Sequence, residues 1–367
     1  MRTPGLLPCV LLALALASCG DSALRYYNLG LDAMDARDYD AAIQHFAKSI
    51  ELRPEDTDAH FNLGVAYHAA GRYKEALARF QIVLERTPAD PVLHYNIAET
   101  YAAMGATQAA SREYQSAIRS NDKFAEAYAA YGKLLLDSDQ YAAAEENLGL
   151  ALANMPTYNP TYVYLGQLYA RTERYHQATY YFYRALKTEP QRIDARLGLA
   201  YVFYKRELYE EAIAEYEQVY VREESNTQAI LGLGLCHLAL GHSTPAERMF
   251  ARALDVEAVL PEAYKGLGDV YFSEKRYVAA LANYRMAIMQ REDFPEAYTS
   301  IGTLFVATGQ FAEAREAFDK ALYKRPDDPW VLYHLGMLFI ALDDRVQART
   351  YLEKSMELAR SNDKLRT

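Results

Sequence analysis

From residue 24 onward, apolar side chains recur three and four positions apart in short stretches. In the segment 57–86 they form two runs, about 57–70 and about 73–86, joined by Gly71 and Arg72. That spacing predicts two amphipathic helices. So short a joint favours antiparallel packing of the pair. Pro88 ends the second run, since proline lacks an amide proton and clashes with the preceding turn. Proline recurs at the same place as Pro54, Pro156, Pro190 and Pro326.

The hairpin then repeats. A small residue falls at Gly30, Gly64, Ala98, Gly132, Gly166, Ala200, Gly234, Gly268, Gly302 and Gly336, each 34 residues after the last. Alanine keeps the same interval without exception at 42, 76, 110, 144, 178, 212, 246, 280, 314 and 348. A bulky residue follows in phase: Phe46, Phe80, Tyr114, Leu148, Phe182, Tyr216, Phe250, Tyr284, Phe318 and Leu352. Small residues on both helices allow close approach, and the bulky one fills the space between them and the next unit. One such hairpin cannot bury its apolar faces alone, but a stack can. A stack also accounts for 367 residues without the two or three globular domains that length ordinarily implies.

These residues and their period resemble the tetratricopeptide-repeat family. The resemblance implies an all-α fold, a right-handed superhelical α-solenoid of ten 34-residue helix-turn-helix units. They would span 23–56, 57–90, 91–124, 125–158, 159–192, 193–226, 227–260, 261–294, 295–328 and 329–362, with a tail at 363–367. Thr107, Ser243 and Arg345 stand where the family usually has an aromatic residue, so looser packing is expected there. The last helix, with Arg345, Ser355 and Glu357, is more polar than its counterparts and is expected to cap the array itself. The alternative is that Leu352 and Met356 dock a partner.

Ahead of the repeats, residues 6–16 form an apolar run of 11 residues after Arg2, broken only by Pro8. It is too short to span a bilayer, which takes about 20 residues, and it fits the core of a secretory signal. The string Leu16-Ala17-Ser18-Cys19 resembles a bacterial lipobox. That likeness implies a signal peptide at 1–18, cleavage before Cys19 and a lipid (palmitate-type acylation included) on Cys19. Residues 19–22 would be a lipidated tether. Three extended residues reach only about 10 Å, so the first helix is expected beside the lipid headgroups. Gly20 rather than Asp follows Cys19, which by the enterobacterial sorting rule favours the outer membrane, facing the periplasm.

In the resembled family, six positions on the first helix of each unit line a groove. Read out here, they give two zones. The first holds Asn28, Asn62 and Asn96 beside Tyr27, Phe61 and Tyr95. An asparagine column of this kind resembles that of the O-linked N-acetylglucosamine transferase superhelix. There, amides bind the backbone of an extended peptide, since asparagine offers both a donor and an acceptor. The second zone is apolar, with Leu197, Tyr201, Tyr204, Leu231, Leu235, Leu238, Phe272, Met337 and Ile340. Tyr164, with Gln167 and Arg171, bridges the two. The family's two-carboxylate clamp is missing: Lys265 is followed four later by Asp269, not Asn.

Composition narrows the chemistry. A net charge of -10 makes nucleic acid a poor partner. Gly232-Leu-Gly234 and Gly266-Leu-Gly268 fall inside predicted helices with no preceding strand, so they are not dinucleotide loops. His60, His68 and His94 fall close enough across two units to be weighed as metal ligands, with ordinary packing favoured. Cys236 has no partner once Cys9 is removed and Cys19 is lipidated, and it is expected to be buried and inert. No cofactor and no catalytic set is expected. The resulting expectation is a membrane-anchored scaffold lipoprotein. Its groove would bind protein or peptide partners and assemble an envelope complex, resembling pilus- and secretin-assembly lipoproteins. A glycan-binding or exopolysaccharide-export lipoprotein, motivated by 32 tyrosines, and an adaptor for peptidoglycan enzymes are the alternatives.

Overall fold

A residue in the left-handed backbone region punctuates the chain once every 34 positions. In a computed structural model describing residues 22–366, these are Arg37, Gly71, Gly105, Asp139, Glu173, Glu207, Gly241, Lys275, Gly309 and Asp343, with φ between 56° and 76°. Each reverses the chain between the two helices of a repeat. After the helix ending at Ala69, the Gly71 amide donates to the His68 carbonyl at 2.9 Å and the Arg72 amide to Tyr67 at 2.8 Å. These two bonds satisfy carbonyls that a helix end otherwise leaves orphaned. The six non-glycine residues hold the same geometry against the clash of Cβ with the backbone. Glu207→Gly is therefore expected to raise the urea midpoint, by about 0.5 kcal/mol after the greater freedom of glycine in the unfolded chain is subtracted. Gly241→Ala is expected to lower it by about 1 kcal/mol.

The described residues form two compact units, one running to Tyr164 and one from Leu165. The readings placed on 1–18 and Cys19 lie outside the described residues. In the first unit are α1 (22–35), α2 (Tyr39–Leu52), α3 (Thr57–Ala69), α4 (Tyr73–Leu84), α5 (Pro91–Ala103), α6 (Thr107–Ser120), α7 (Ala125–Asp137) and α8 (Tyr141–Asn154). The unit boundary falls within α9 (Asn159–Arg171). The second unit continues with α10 (Tyr175–Thr188), α11 (Ile193–Lys205), α12 (Tyr209–Arg222), α13 (Thr227–Ala239), α14 (Ser243–Val256) and α15 (Pro261–Ser273). It ends with α16 (Tyr277–Gln290), α17 (Pro295–Ala307), α18 (Phe311–Lys324), α19 (Pro329–Ala341) and α20 (Arg345–Arg366). No strand occurs among these residues. This is the all-α solenoid of helical hairpins expected from the period. The last helix runs past residue 362 to Arg366 and buries Ser355, while Met356 stays exposed.

Local chemistry starts the helices. Asp38, Asp56, Asp90, Asn226 and Asp328 each cap the helix that follows by accepting a backbone amide proton. Loops between repeats are tied down by a side chain at the fourth position of the next unit. His60 bonds the Pro54 carbonyl at 3.1 Å, His94 that of Pro88 at 3.0 Å, Tyr162 that of Pro156 at 2.6 Å and Arg196 that of Pro190 at 2.7 Å.

The three in-phase series make the core. The alanines from Ala42 to Ala314 are wholly buried, and so are Phe46, Phe80, Phe182, Phe250 and Phe318. The small residue on the first helix is the seat for the ring on the second. A Cβ built on Gly64 would lie 2.5 Å from the Phe80 ring, and one on Gly302 would lie 2.4 Å from that of Phe318. In the second unit the next repeat supplies a second flat seat. Phe250 is held between Gly234 and Gly266, and Phe182 between Gly166 and Gly198. First helices also pack on one another across repeats: α3 on α5 and α5 on α7, then α11 on α13, α13 on α15, α15 on α17 and α17 on α19. They therefore line one side of each unit.

Candidate binding face

In the first unit, the aromatic column at Tyr27, Phe61 and Tyr95 leans on the core rings behind it. Ring centroids are 5.7 Å apart for Tyr27 and Phe46, 5.8 Å for Phe61 and Phe80, and 6.1 Å for Tyr95 and Tyr114. Tyr95 also meets Phe124 at 5.4 Å. Burial raises its phenol above the ordinary range, and the nearby Glu99 carboxylate adds to this. Tyr114 donates its hydroxyl proton to Glu99, a first-helix carboxylate that the sequence reading did not single out.

The asparagines differ among themselves. Asn28 is exposed. The Asn62 amide donates to the Asp58 carbonyl at 3.0 Å and to the Tyr27 hydroxyl at 2.9 Å, and that of Asn96 donates to Val92 at 2.8 Å. Two of the three thus spend a donor on their own helix. Tyr164 is half-buried at the end of this unit.

In the second unit, the apolar zone divides. Leu231, Leu235 and Leu238 pack against the core around Ala246, Phe250, Leu267 and Val270. Phe272 meets Tyr277 at 5.8 Å, and Tyr204 meets Tyr209 at 5.8 Å. Desolvation raises the Tyr204 phenol. Tyr201, Met337 and Ile340 keep two-fifths or more of their surface exposed, at 45%, 42% and 52%.

Beside Phe272 lies a cavity of about 300 Å³ between α15, α17 and α19. Its wall includes Lys265, Asp269, Glu296, Thr303, Trp330 and His334. Trp330 is the chain's single tryptophan, is 63% exposed, and meets His334 edge-on at 4.9 Å and stacks on Tyr333 at 5.7 Å. His334 in turn stacks on Phe318 at 5.9 Å. Of this constellation the sequence marks Phe272 for the groove, and Lys265 with Asp269 only as an incomplete clamp. The signals available were the Lys265/Asp269 spacing and the lone tryptophan.

The remaining chemistry-bearing residues are engaged singly. His68 bonds Thr100 at 3.0 Å and His94 bonds Glu113 at 2.7 Å, while His60 clamps its loop. Among the described residues no group of three or more His, Cys, Asp or Glu is placed to hold a metal ion. Both Gly-Leu-Gly stretches lie within helices, α13 and α15. Cys236 is free and buried, and burial pushes its thiol up to about 12. A raised value means the proton is kept, so almost no thiolate exists at pH 8, and the thiolate is the nucleophile. In native protein at pH 8, Cys236 is therefore expected to show no fast reaction with a disulfide reagent, and it should react once urea unfolds the chain.

Family models described as tetratricopeptide repeat match residues 27–91 and 164–230, and again 67–134 and 305–366; a third, described as TPR repeat, matches 268–309. The chain belongs to the tetratricopeptide-repeat family, whose arrays mediate protein–protein interactions. No curated protein matches it. Among solved structures it is similar to a tetratricopeptide repeat protein from Parabacteroides merdae, at 19% identity and a TM-score of 0.54, over 68% of this chain and 99% of that one. It is similar to PilF of Pseudomonas aeruginosa at 22% identity and a TM-score of 0.52, over 57% of this chain and 96% of that one. It is also similar to yeast Tom70 at 17% identity and a TM-score of 0.51, over 94% of both. At these identities the likeness is one of fold.

Proposed function

We propose that this protein is a lipid-anchored scaffold of a bacterial envelope. It holds partner polypeptides on its first-helix face to assemble a complex of the pilus or secretin type at the outer membrane. The observation that carries the reading is the string Leu16-Ala17-Ser18-Cys19, which closes an apolar run and leads within three residues into α1. Repeats starting so near an acyl anchor would stand directly on the membrane with their binding face available. The family's binding role and the fold shared with PilF support the reading.

Cross-linking in living cells from a probe at Asn62 or Tyr204, followed by identification of what is captured, tests it. Envelope assembly proteins are the expected catch. A deletion strain that still forms normal channel multimers would reject the assembly role. A second reading, glycan binding, is favoured by Tyr180 and Tyr183 on α10, 54% and 51% exposed, because aromatic faces stack on sugar rings. Silence on a glycan array beside a clear peptide hit would end it.

A further inference from the structure

The cavity between α15, α17 and α19 has a one-sided chemistry. Its hydroxyl donors are turned inward to the protein. Thr299 gives its proton to the Pro295 carbonyl at 2.8 Å, Thr303 to Thr299 at 3.0 Å, and Tyr284 to the Asp269 carboxylate at 2.9 Å. What these groups leave for a visitor is oxygen lone pairs.

Three carboxylates stand at the wall: Asp269, Glu296 and Asp328. Lys265 pairs with Asp269 at 2.7 Å, and one guanidinium, Arg325, serves both Glu296 at 2.8 Å and Asp328 at 2.9 Å. Three negative charges thus face two positive ones. Burial lowers the His334 pKa, so this imidazole is neutral at pH 7 and adds no cation. Trp330 supplies an exposed π-face, and Phe272, on α15 with Asp269, adds an apolar part of the wall.

A surplus of acceptors, a net negative rim and a largely exposed indole, stacked on Tyr333 alone, together select a cation carried on an apolar stem. An anion would meet a rim with more negative than positive charge. The volume lies at the low end for ligand pockets and suits one long side chain. We infer that this cavity is a subsite for a basic side chain of the partner polypeptide, arginine in preference to lysine. Arginine is preferred because its planar guanidinium can stack on Trp330 while bonding Glu296. The inference rests on the reading that the first-helix face binds a polypeptide.

Trp330, as the only tryptophan, makes the test direct. The full chain, purified in detergent, is titrated with capped tri-arginine, its neutral isostere capped tri-citrulline, and capped tri-glutamate, with indole fluorescence as the readout. Tri-arginine is expected to give a saturable change. Tri-citrulline should bind at least about tenfold more weakly, and tri-glutamate should give no response. Raising salt should weaken the tri-arginine response. Glu296→Gln should weaken tri-arginine about fivefold with an unchanged helical circular-dichroism signal. Equal responses to arginine and citrulline, or no saturable response to arginine, would overturn the assignment. If Glu296→Gln loses its fold, the arginine-to-citrulline ratio in the unaltered chain decides alone. Arginine binding without any envelope partner captured in cells would leave the subsite standing and remove the scaffold role. A captured partner that binds equally well after its basic residues are neutralised would do the reverse.

Discussion

Gly266→Ala is expected to destabilise the protein by about 2–3 kcal/mol, although alanine is the better helix former by about 1 kcal/mol. A methyl group built there would sit 2.5 Å from two atoms of the Phe250 ring. The ring cannot retreat, because Gly234 on the other helix leaves its own Cβ position only 2.7 Å away and Phe250 is wholly buried. Protein interiors this dense transmit the strain to the backbone. The control is Gly149 on α8, where nothing lies within 4 Å of a built Cβ. Gly149→Ala should therefore stabilise by up to about 1 kcal/mol. Both changes are read from urea unfolding followed by circular dichroism. Shortening the ring should recover part of the loss: Phe250→Leu combined with Gly266→Ala should cost less than the two single changes added. Equal behaviour of Gly266→Ala and Gly149→Ala would show that the ring seat carries no weight.

Cys19→Ser is expected to give an all-or-none result. Each buried methylene of an acyl chain contributes about 0.8 kcal/mol, and more than one chain is needed for stable anchoring. If Cys19 carries the proposed diacylglyceryl group, losing the thiol removes its attachment atom. The altered protein should take up no radiolabelled palmitate and should move from the membrane fraction to the soluble fraction. No helix among the described residues is long and apolar enough to cross a membrane. A variant that stayed with the membrane would place the anchor elsewhere and remove the lipobox reading.

The period of 34 carried most of the fold into view, because a helical hairpin needs the same small and large residues at the same places in every copy. Gly30 with Phe46, or Gly302 with Phe318, are pairs legible from spacing alone. The reversing residue was less visible. Glycine announces it at Gly71 and Gly241, but Glu207 and Lys275 adopt the same backbone with no local signal, held there by the helices on either side.

Position six of the repeat shows why the face was harder to read. In the family it belongs to the groove, yet Gly198, Gly232 and Gly266 there are seats for rings of the preceding repeat, and His334 stacks on Phe318. The asparagines at that position in the first unit turn part of their bonding capacity back to their own helix. Exposure depends on the shape of the neighbouring repeat, which a one-dimensional register does not contain. The cavity beside Trp330 was hidden for the same reason: its residues come from three repeats and differ in type, so no periodic column marks them.

Consecutive helices from α2 to α8 in the first unit and from α10 to α20 in the second pack on one another, and the first helices α3, α5 and α7, and α11, α13, α15, α17 and α19, also pack each on the next one over. Nothing in either unit waits for a residue hundreds of positions away. A polypeptide wired this way has little loop-closure entropy to lose and can consolidate in the order in which it emerges, each hairpin finding its berth on the one before. If the chain is exported to the envelope as proposed, threaded through a narrow channel, that ordering would keep the newly arrived end brief in its exposure and the finished portion already dry inside.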